Sequence, residues 1–372
     1  MNDQALFALP PEALRVHVAQ VIRKHWVPPR LCHAPAPIPA GQVEQRARAV
    51  LDAMLTHSFR VGPLPPAEIY DQLLERVRRQ VRRSRPVAVT VGYGPLKNPI
   101  AVPRSRADWA EFFALCHLVA WHNKVQAIYP PGLSLRIAFD DTTLVMANHA
   151  DKSRIASYTR SVAELIRTLG FAPVLSASLR HSSFAWLFHF GLYQIARYRV
   201  RRWEQDPVHR EQMERMALYA SRNVLLPDGL SQAKQEEYLR AASHRYRVYW
   251  DALQLSGLTH SKKRLIAMYL DGSQHHLRQA VALHLTTLDK GQVTQPWQGV
   301  GVLVDNGHGS LVPSVLTGGR QQRYETRSVE DLRLVPGEAF ERITVARPGI
   351  GSAKGKPGQP WTRTTEALSN RP

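Results

Sequence analysis

A lysine closes a glycine- and proline-rich loop, Gly92-Tyr93-Gly94-Pro95-Leu96-Lys97-Asn98-Pro99, that follows the β-branched run Val87-Ala88-Val89-Thr90-Val91. Glycines after a strand let backbone N–H groups approach a phosphate, and a lysine beside them adds a point charge. An ordinary surface turn is the competing reading, since the loop matches neither G-x-x-x-x-G-K-[ST] nor G-x-G-x-x-G. Asp140-Asp141 end the run Leu133 to Phe139, where an open α/β sheet presents side chains to its ligand. Neighbours on a strand point to opposite faces, so at most one of the two reaches that ligand; a turn-forming Asp-Asp-Thr-Thr is the alternative. Thr259-His260-Ser261-Lys262-Lys263-Arg264 is a dense cationic run before an apolar stretch. With Arg278 it suits a phosphate or carboxylate, and equally a solvated basic turn. Trp297, beside Pro296 in the stretch Thr294 to Gly299, suits the wall of a small-molecule pocket.

Positioning these residues requires alternating strands and helices. The run from Val87 predicts a buried parallel strand. Ser105 with Asp108 predicts a capping box opening a helix, whose apolar face carries Trp109, Phe112, Phe113, Cys116 and Val119. That helix ends near Tyr129-Pro130-Pro131-Gly132, and Leu133 to Phe139 completes a βαβ unit. Asp151 to Leu169 reads as a further helix closed by Gly170, and Ala172 to Leu179 as a strand.

Upstream, helices are expected over Pro10 to Val27 and Gln42 to His57, joined by an extended proline-rich connector from Pro28 to Pro39. Pro65-Pro66 start another helix, with Ile69, Leu73, Leu74, Val77 and Val81 on its buried face. Its other face carries Arg76, Arg78, Arg79, Arg82, Arg83 and Arg85. A nucleic-acid stripe would want aromatic residues among them, and none is present; a solvated face suited to the helix C-terminus is the plainer account. Downstream, Ser183 to Leu226 and Ser231 to Leu255 read as helices of a second lobe. Short strands are expected at Leu265 to Leu270, Ala280 to Leu285 and Val300 to Val304, with edge strands at Ser310 to Leu316 and Arg342 to Val345. The expected organisation is an N-terminal helical and proline-rich region (1–64), an α/β domain (65–347) with a helical insertion around 183–257, and a disordered basic tail (348–372).

With 44% hydrophobic residues the chain can bury a large core, and its formal net charge of +19 calls for an anionic partner. Two cysteines, Cys32 and Cys116, build no disulfide framework, which fits a reducing compartment. The first residues lack a basic leader, and no apolar run is long enough to span a bilayer, so a cytoplasmic protein with no membrane partner is expected. Of the sixteen histidines, His117 and His122 are five apart on one helix and splay apart; none of the others forms H-E-x-x-H or C-x-x-C, so no protein-held metal is expected. G-x-S-x-G is absent as well.

Taken together, several motifs resemble the isocyanide (isonitrile) synthases of the pyoverdine/dityrosine biosynthesis type. They are Leu96-Lys97-Asn98-Pro99, Ala107-Asp108-Trp109-Ala110-Glu111, Tyr129-Pro130-Pro131-Gly132, Phe139-Asp140-Asp141, Arg264, Arg278 and Thr294-Gln295-Pro296-Trp297-Gln298. The resemblance spans Pro65 to Leu316 and is thin through the helical middle. This chain departs from it in three places: Asp-Asp-Thr stands for Ser-Asp-Gly, Gln298 for a histidine, and Ala267-Met268-Tyr269-Leu270 for Ser-Ile-His-Pro.

The resemblance implies a Rossmann-like, mostly parallel sheet flanked by helices, with an added helical lobe and a strand-rich C-terminal part. It implies an enzyme of secondary metabolism that joins an amino acid amine to ribulose 5-phosphate, with no metal or nucleotide cofactor. Lys97, Asp140 and Asp141 would then be catalytic, and Asn98, Arg264, Arg278, Trp297 and Gln298 would hold the amino acid and sugar phosphate. Two alternatives stand beside it: a basic nucleic-acid-binding protein, and a family member with altered carbon–nitrogen chemistry.

Overall fold

The computed structural model describes residues 6–32, 36–56, 59, 64–65, 67–93, 106–139, 151–179, 183–208, 210–211, 230–255, 300–316, 324–330 and 342–348. The strands expected at 265–270 and 280–285 and the tail from 349 lie outside them. Helices α1 (Pro11–His25), α2 (Val43–Met54) and α3 (Ala67–Arg82) come first. The centre is β1 (Val87–Tyr93), α4 (Trp109–Gln126), β2 (Leu133–Phe139), α5 (Lys152–Thr168) and β3 (Leu175–Leu179). Two long helices follow, α6 (Ser183–Trp203) and α7 (Gln232–Leu255), then β4 (Val300–Asp305), β5 (Leu311–Leu316), β6 (Tyr324–Glu330) and β7 (Arg342–Pro348).

The fold is α/β. β1, β2 and β3 form a parallel sheet in that order, and β5-β4-β7-β6 form a separate mixed sheet. The β-branched residues of β1 do form a parallel strand, but the sheet is buried on one face rather than two. Val87, Val89, Leu133, Leu135, Ile137, Phe139 and Leu175 line the core, while Ser134 and Ser176 on the opposite face are exposed. Period-two alternation explains the split.

α4 departs most from its expected form. Every residue from Trp109 to Val119 is buried, Glu111 and His117 included, so the first three turns of the helix have no solvated face. The cause is the second sheet: α4 contacts β2 and also β4 and β5. Its cap also differs, because Asp108 rather than Ser105 stands at the N-cap. The Asp108 carboxylate accepts from the Ala110 N–H (2.8 Å), and Glu111 Oε2 accepts from the Asp108 N–H (2.6 Å).

Other boundaries move for local reasons. β1 continues through Gly92 to Tyr93, because β2 offers paired partners Ala138 and Phe139 that far along. β3 starts at Leu175, not Ala172, since the chain first completes a Schellman turn. Gly170 (φ 72°) donates to the Arg167 carbonyl and Phe171 to that of Ile166. α6 stops at Trp203, helix resumes at 207–208 and 210–211, and the rest of the stretch expected to be mostly helical as far as Leu226 lies outside the described residues. β6, with only two clearly apolar residues in YETRSVE, went unforeseen; it is an edge strand paired antiparallel to β7 along its whole length.

The N-terminal segments belong to the same core. Leu14, Val18 and Ile22 of α1 and Val50, Leu51 and Met54 of α2 join the residues of the parallel sheet. The connector after α1 is pinned by α4: Asn123 Nδ2 donates to the Pro28 carbonyl (3.0 Å), and the Arg30 N–H donates to Asn123 Oδ1 (2.8 Å). Among the described residues no helix is long and apolar enough to cross a membrane.

Candidate active site

Parallel pairing sets the ends of three strands side by side. Tyr93 is the register partner of Phe139, and Phe139 that of Leu179. Chain segments leaving β1, β2 and β3 therefore start from one edge of the sheet, the edge at which open α/β folds bind ligands. The first turn of α4 adjoins that edge through aromatic and polar contacts. The Phe139 ring meets Tyr158 edge-on (6.1 Å, 77°), and the Tyr158 hydroxyl donates to Glu111 Oε1 (3.0 Å). Both carboxylate oxygens of the fully buried Glu111 thus have partners, as burial of such a group demands. Ser161 extends the cluster: its hydroxyl donates to the Tyr158 carbonyl and accepts from the Ala107 N–H, each at 2.8 Å.

β4 closes the cluster from the other side. The Gly301 N–H is shared by the two Asp108 carboxylate oxygens at 3.2 and 3.3 Å. A Cβ at Gly301 would fall 2.1 Å from the Ala110 nitrogen, so only glycine lets β4 approach this close.

The eight residues singled out from the sequence, Lys97, Asn98, Asp140, Asp141, Arg264, Arg278, Trp297 and Gln298, all lie outside the described residues. The described ends flanking three of their four groups do come together. Tyr93 precedes the Lys97-Asn98 loop, Phe139 directly precedes Asp140, and Val300 follows Gln298 by two residues. Tyr93 and Phe139 lie side by side at adjacent strand ends, Phe139 is tied to Glu111 of α4 through Tyr158, and Val300 stands one residue before Gly301, which donates to Asp108. For Arg264 and Arg278 the preceding described residue is Leu255 of α7, so no flank ties them to this edge.

Other residues that chemistry alone would flag have structural partners. His122 Nε2 lies 2.8 Å from the Arg30 carbonyl, and Nδ1 lies 2.7 Å from the Leu133 carbonyl and 3.1 Å from the Leu133 nitrogen, tying the connector to β2. His117 stacks obliquely on Phe59 (4.8 Å, 41°), and burial pushes its pKa down from 6.5 to about 4. Burial likewise raises the Cys116 thiol well above its ordinary range. Tyr129, of the Tyr-Pro-Pro-Gly motif, donates its hydroxyl to the Arg85 carbonyl (2.7 Å) and anchors the end of α3. Arg78, on the arginine-rich face of α3, pairs with Glu44 of α2 (2.6 Å) and with Glu75. Asp108 and Glu111 were legible as a D-x-x-E box, a signal hidden by the overlapping Ser105-x-x-Asp108.

These elements define an α/β protein whose site edge is set by β1, β2, the start of α4 and β4. Among solved structures, the crystal structure of the PvcA protein from Pseudomonas aeruginosa matches it with a TM-score of 0.54 at 17% identity. The match covers 76% of this chain and 96% of PvcA. At that identity the likeness is one of fold. No family model matches the chain, and no curated protein shows significant similarity to it.

Proposed function

We propose that this chain is an isonitrile-synthase-like enzyme of secondary metabolism, which condenses the amine of an amino acid with ribulose 5-phosphate. The observation that carries this is the fold match over nearly the whole of PvcA, a protein of the pyoverdine/paerucumarin isonitrile synthase family. It agrees with the motifs that resemble that family, and two of the four motif groups adjoin β2 and β4, both of which contact α4. Imine formation and enolisation of the sugar require a positioned acid or base, and loss of phosphate requires cations to take the developing charge. Lys97, Arg264 and Arg278 would grip phosphate and carboxylate. Asp140 or Asp141 would hold the amine or move its proton, Asn98 and Gln298 would orient polar groups, and Trp297 would cover the amino acid side chain.

The test is mass spectrometry of purified protein incubated with ribulose 5-phosphate and a pool of amino acids. An isonitrile product that disappears in Lys97→Ala supports the proposal. Absence of product from the wild-type protein, together with no thermal shift from the sugar phosphate, would leave the fold shared and the chemistry not.

A further inference from the structure

α6 and α7 pack side by side over a small core of Ala196, Val200 and Val248, flanked by Tyr193 and Trp203. Beside that core they border an open groove of about 650 Å³. Arg197 and Arg201 reach it from α6, and Arg240 and Arg245 from α7. Helical spacing brings them together: Tyr193, Arg197 and Arg201 succeed one another at i, i+4, i+8 along one face.

α6 itself carries nothing to neutralise its two arginines. α6 contains no aspartate or glutamate over its whole length, so Arg197 and Arg201 face each other one turn apart with no acidic neighbour on their helix. Like charges at that spacing oppose the helix. Among the described residues no carboxylate forms an ion pair with either arginine. Two acids border the groove, Glu204 and Glu237. Glu204 is engaged by His244 Nδ1 at 2.5 Å. Arg240 has a loose partner, 3.9 Å away, in Glu236, which does not line the groove. Arg245 is half-buried, with its guanidinium 5.9 Å from the Tyr238 ring, and burial lowers its pKa from the ordinary arginine value. A cation partly withdrawn from water gains most from an anion brought to it.

We infer that the groove between α6 and α7 binds a small organic phosphate, a phosphate monoester gripped by Arg197, Arg201, Arg240 and Arg245. Planar guanidinium forks match phosphate oxygens, and four of them exceed what a single carboxylate needs. The volume leaves room for the organic part, with Tyr193 along its wall. Glu204 and Glu237 interrupt the positive lining, which suits a compact dianion rather than a nucleic-acid backbone needing a continuous track. None of these residues is among those proposed for the condensation, so the two proposals stand or fall separately.

The test is isothermal titration calorimetry of the full chain at low ionic strength with inorganic phosphate and with a hexose phosphate. Wild-type protein is compared with Arg197→Gln/Arg201→Gln and with Arg202→Gln, an exposed arginine of α6 outside the groove. All these positions are exposed, so far-UV circular dichroism should not change. The expected result is saturable binding weakened about tenfold or more in the double variant and within about twofold of wild type in Arg202→Gln. Three results would overturn the inference. One is no saturable heat with either probe; another is equal weakening by Arg202→Gln. The third is a single-stranded oligonucleotide that binds with steep salt dependence and is not displaced by the phosphate esters.

Discussion

Replacing Gly301 by alanine tests whether β4 is fixed against the first turn of α4. The added methyl would sit 2.1 Å from the Ala110 nitrogen and 2.7 Å from both the Trp109 carbonyl carbon and Asp108 Oδ1. Two of these three atoms are backbone in a buried helix, so no side-chain rotation relieves the overlap. Either β4 or the helix start must move by about an ångström, and the shared hydrogen bond from Gly301 to Asp108 goes with it. Overpacking a filled core costs about 1–3 kcal/mol, and damage to an N-cap about 1 kcal/mol more. The sum, about 2–4 kcal/mol, is a large part of the roughly 5–15 kcal/mol that holds a domain folded.

Scanning calorimetry should show a fall in Tm of about 5–15 °C. Gly41→Ala is the control: nothing lies within 4 Å of its added Cβ, and its backbone needs no positive φ. Hydrogen exchange should quicken in the first turn of α4 in Gly301→Ala alone. If Gly301→Ala melts within a degree or so of Gly41→Ala, β4 is not seated where the contacts put it, and the site edge loses one of its walls.

Two further outcomes are expected. Burial holds His117 near 4 against an ordinary 6.5, so the unfolded chain takes up a proton that the folded chain refuses. Its contribution is therefore full above about pH 6.5 and falls by about 3 kcal/mol as the pH drops to about 4. Urea unfolding between these limits should show a shallower pH slope in His117→Leu than in wild type; His25, also held near 4, keeps a residual slope in both. An unchanged slope would mean His117 is not what titrates. In the second, Asp140→Asn should abolish product while Asp141→Asn leaves most of it. If strand alternation carried on past Phe139, Asp141 would share the parity of Phe139 and Asp140 that of Ser134 and Arg136, the more exposed parity of β2. An ionised carboxylate costs far less there. Equal losses in the two variants would show that strand parity does not select the acid.

The parallel unit was legible because its signals are local. β-branched runs, a Gly at C′ and helical spacing each follow from a few neighbouring residues, and β2 matches its expected limits at both ends. What failed depended on distant partners. The sequence of α4 shows one strong apolar face, yet Ala110, Glu111, Ala114 and His117 are buried as well, because β4 and β5 arrive from nearly two hundred residues away. β6 escaped notice for a related reason: an edge strand is made by its neighbour, and Tyr324 to Glu330 shows little of the apolar pattern that marks an interior strand. The candidate site was read from residue types near strand ends, where loops carry chemistry while the scaffold carries periodicity, and all eight of those residues lie outside the described residues.

Burial of the first three turns of α4 on every side links segments near both ends of the described chain to the site edge. A helix without a polar face cannot stand against water, so the parallel sheet alone cannot hold it. The mixed sheet must cover the other side, and that sheet is itself fastened by the N-terminus. Asp305, almost wholly buried at the end of β4, accepts from the Phe7 N–H (2.8 Å) and from the Gly307 N–H (2.9 Å). Arg327 of β6 donates to the carbonyls of Phe7 and Leu9, and Arg347 of β7 lies over the Phe7 ring at 4.7 Å. Residues before α1 therefore hold the sheet that holds β4 against Asp108. The geometry beside Tyr93 and Phe139 is thus fixed by contacts some three hundred residues apart in sequence, and the strand ends at Tyr93 and Phe139 belong to a frame completed only when the segments near both ends of the described chain have docked.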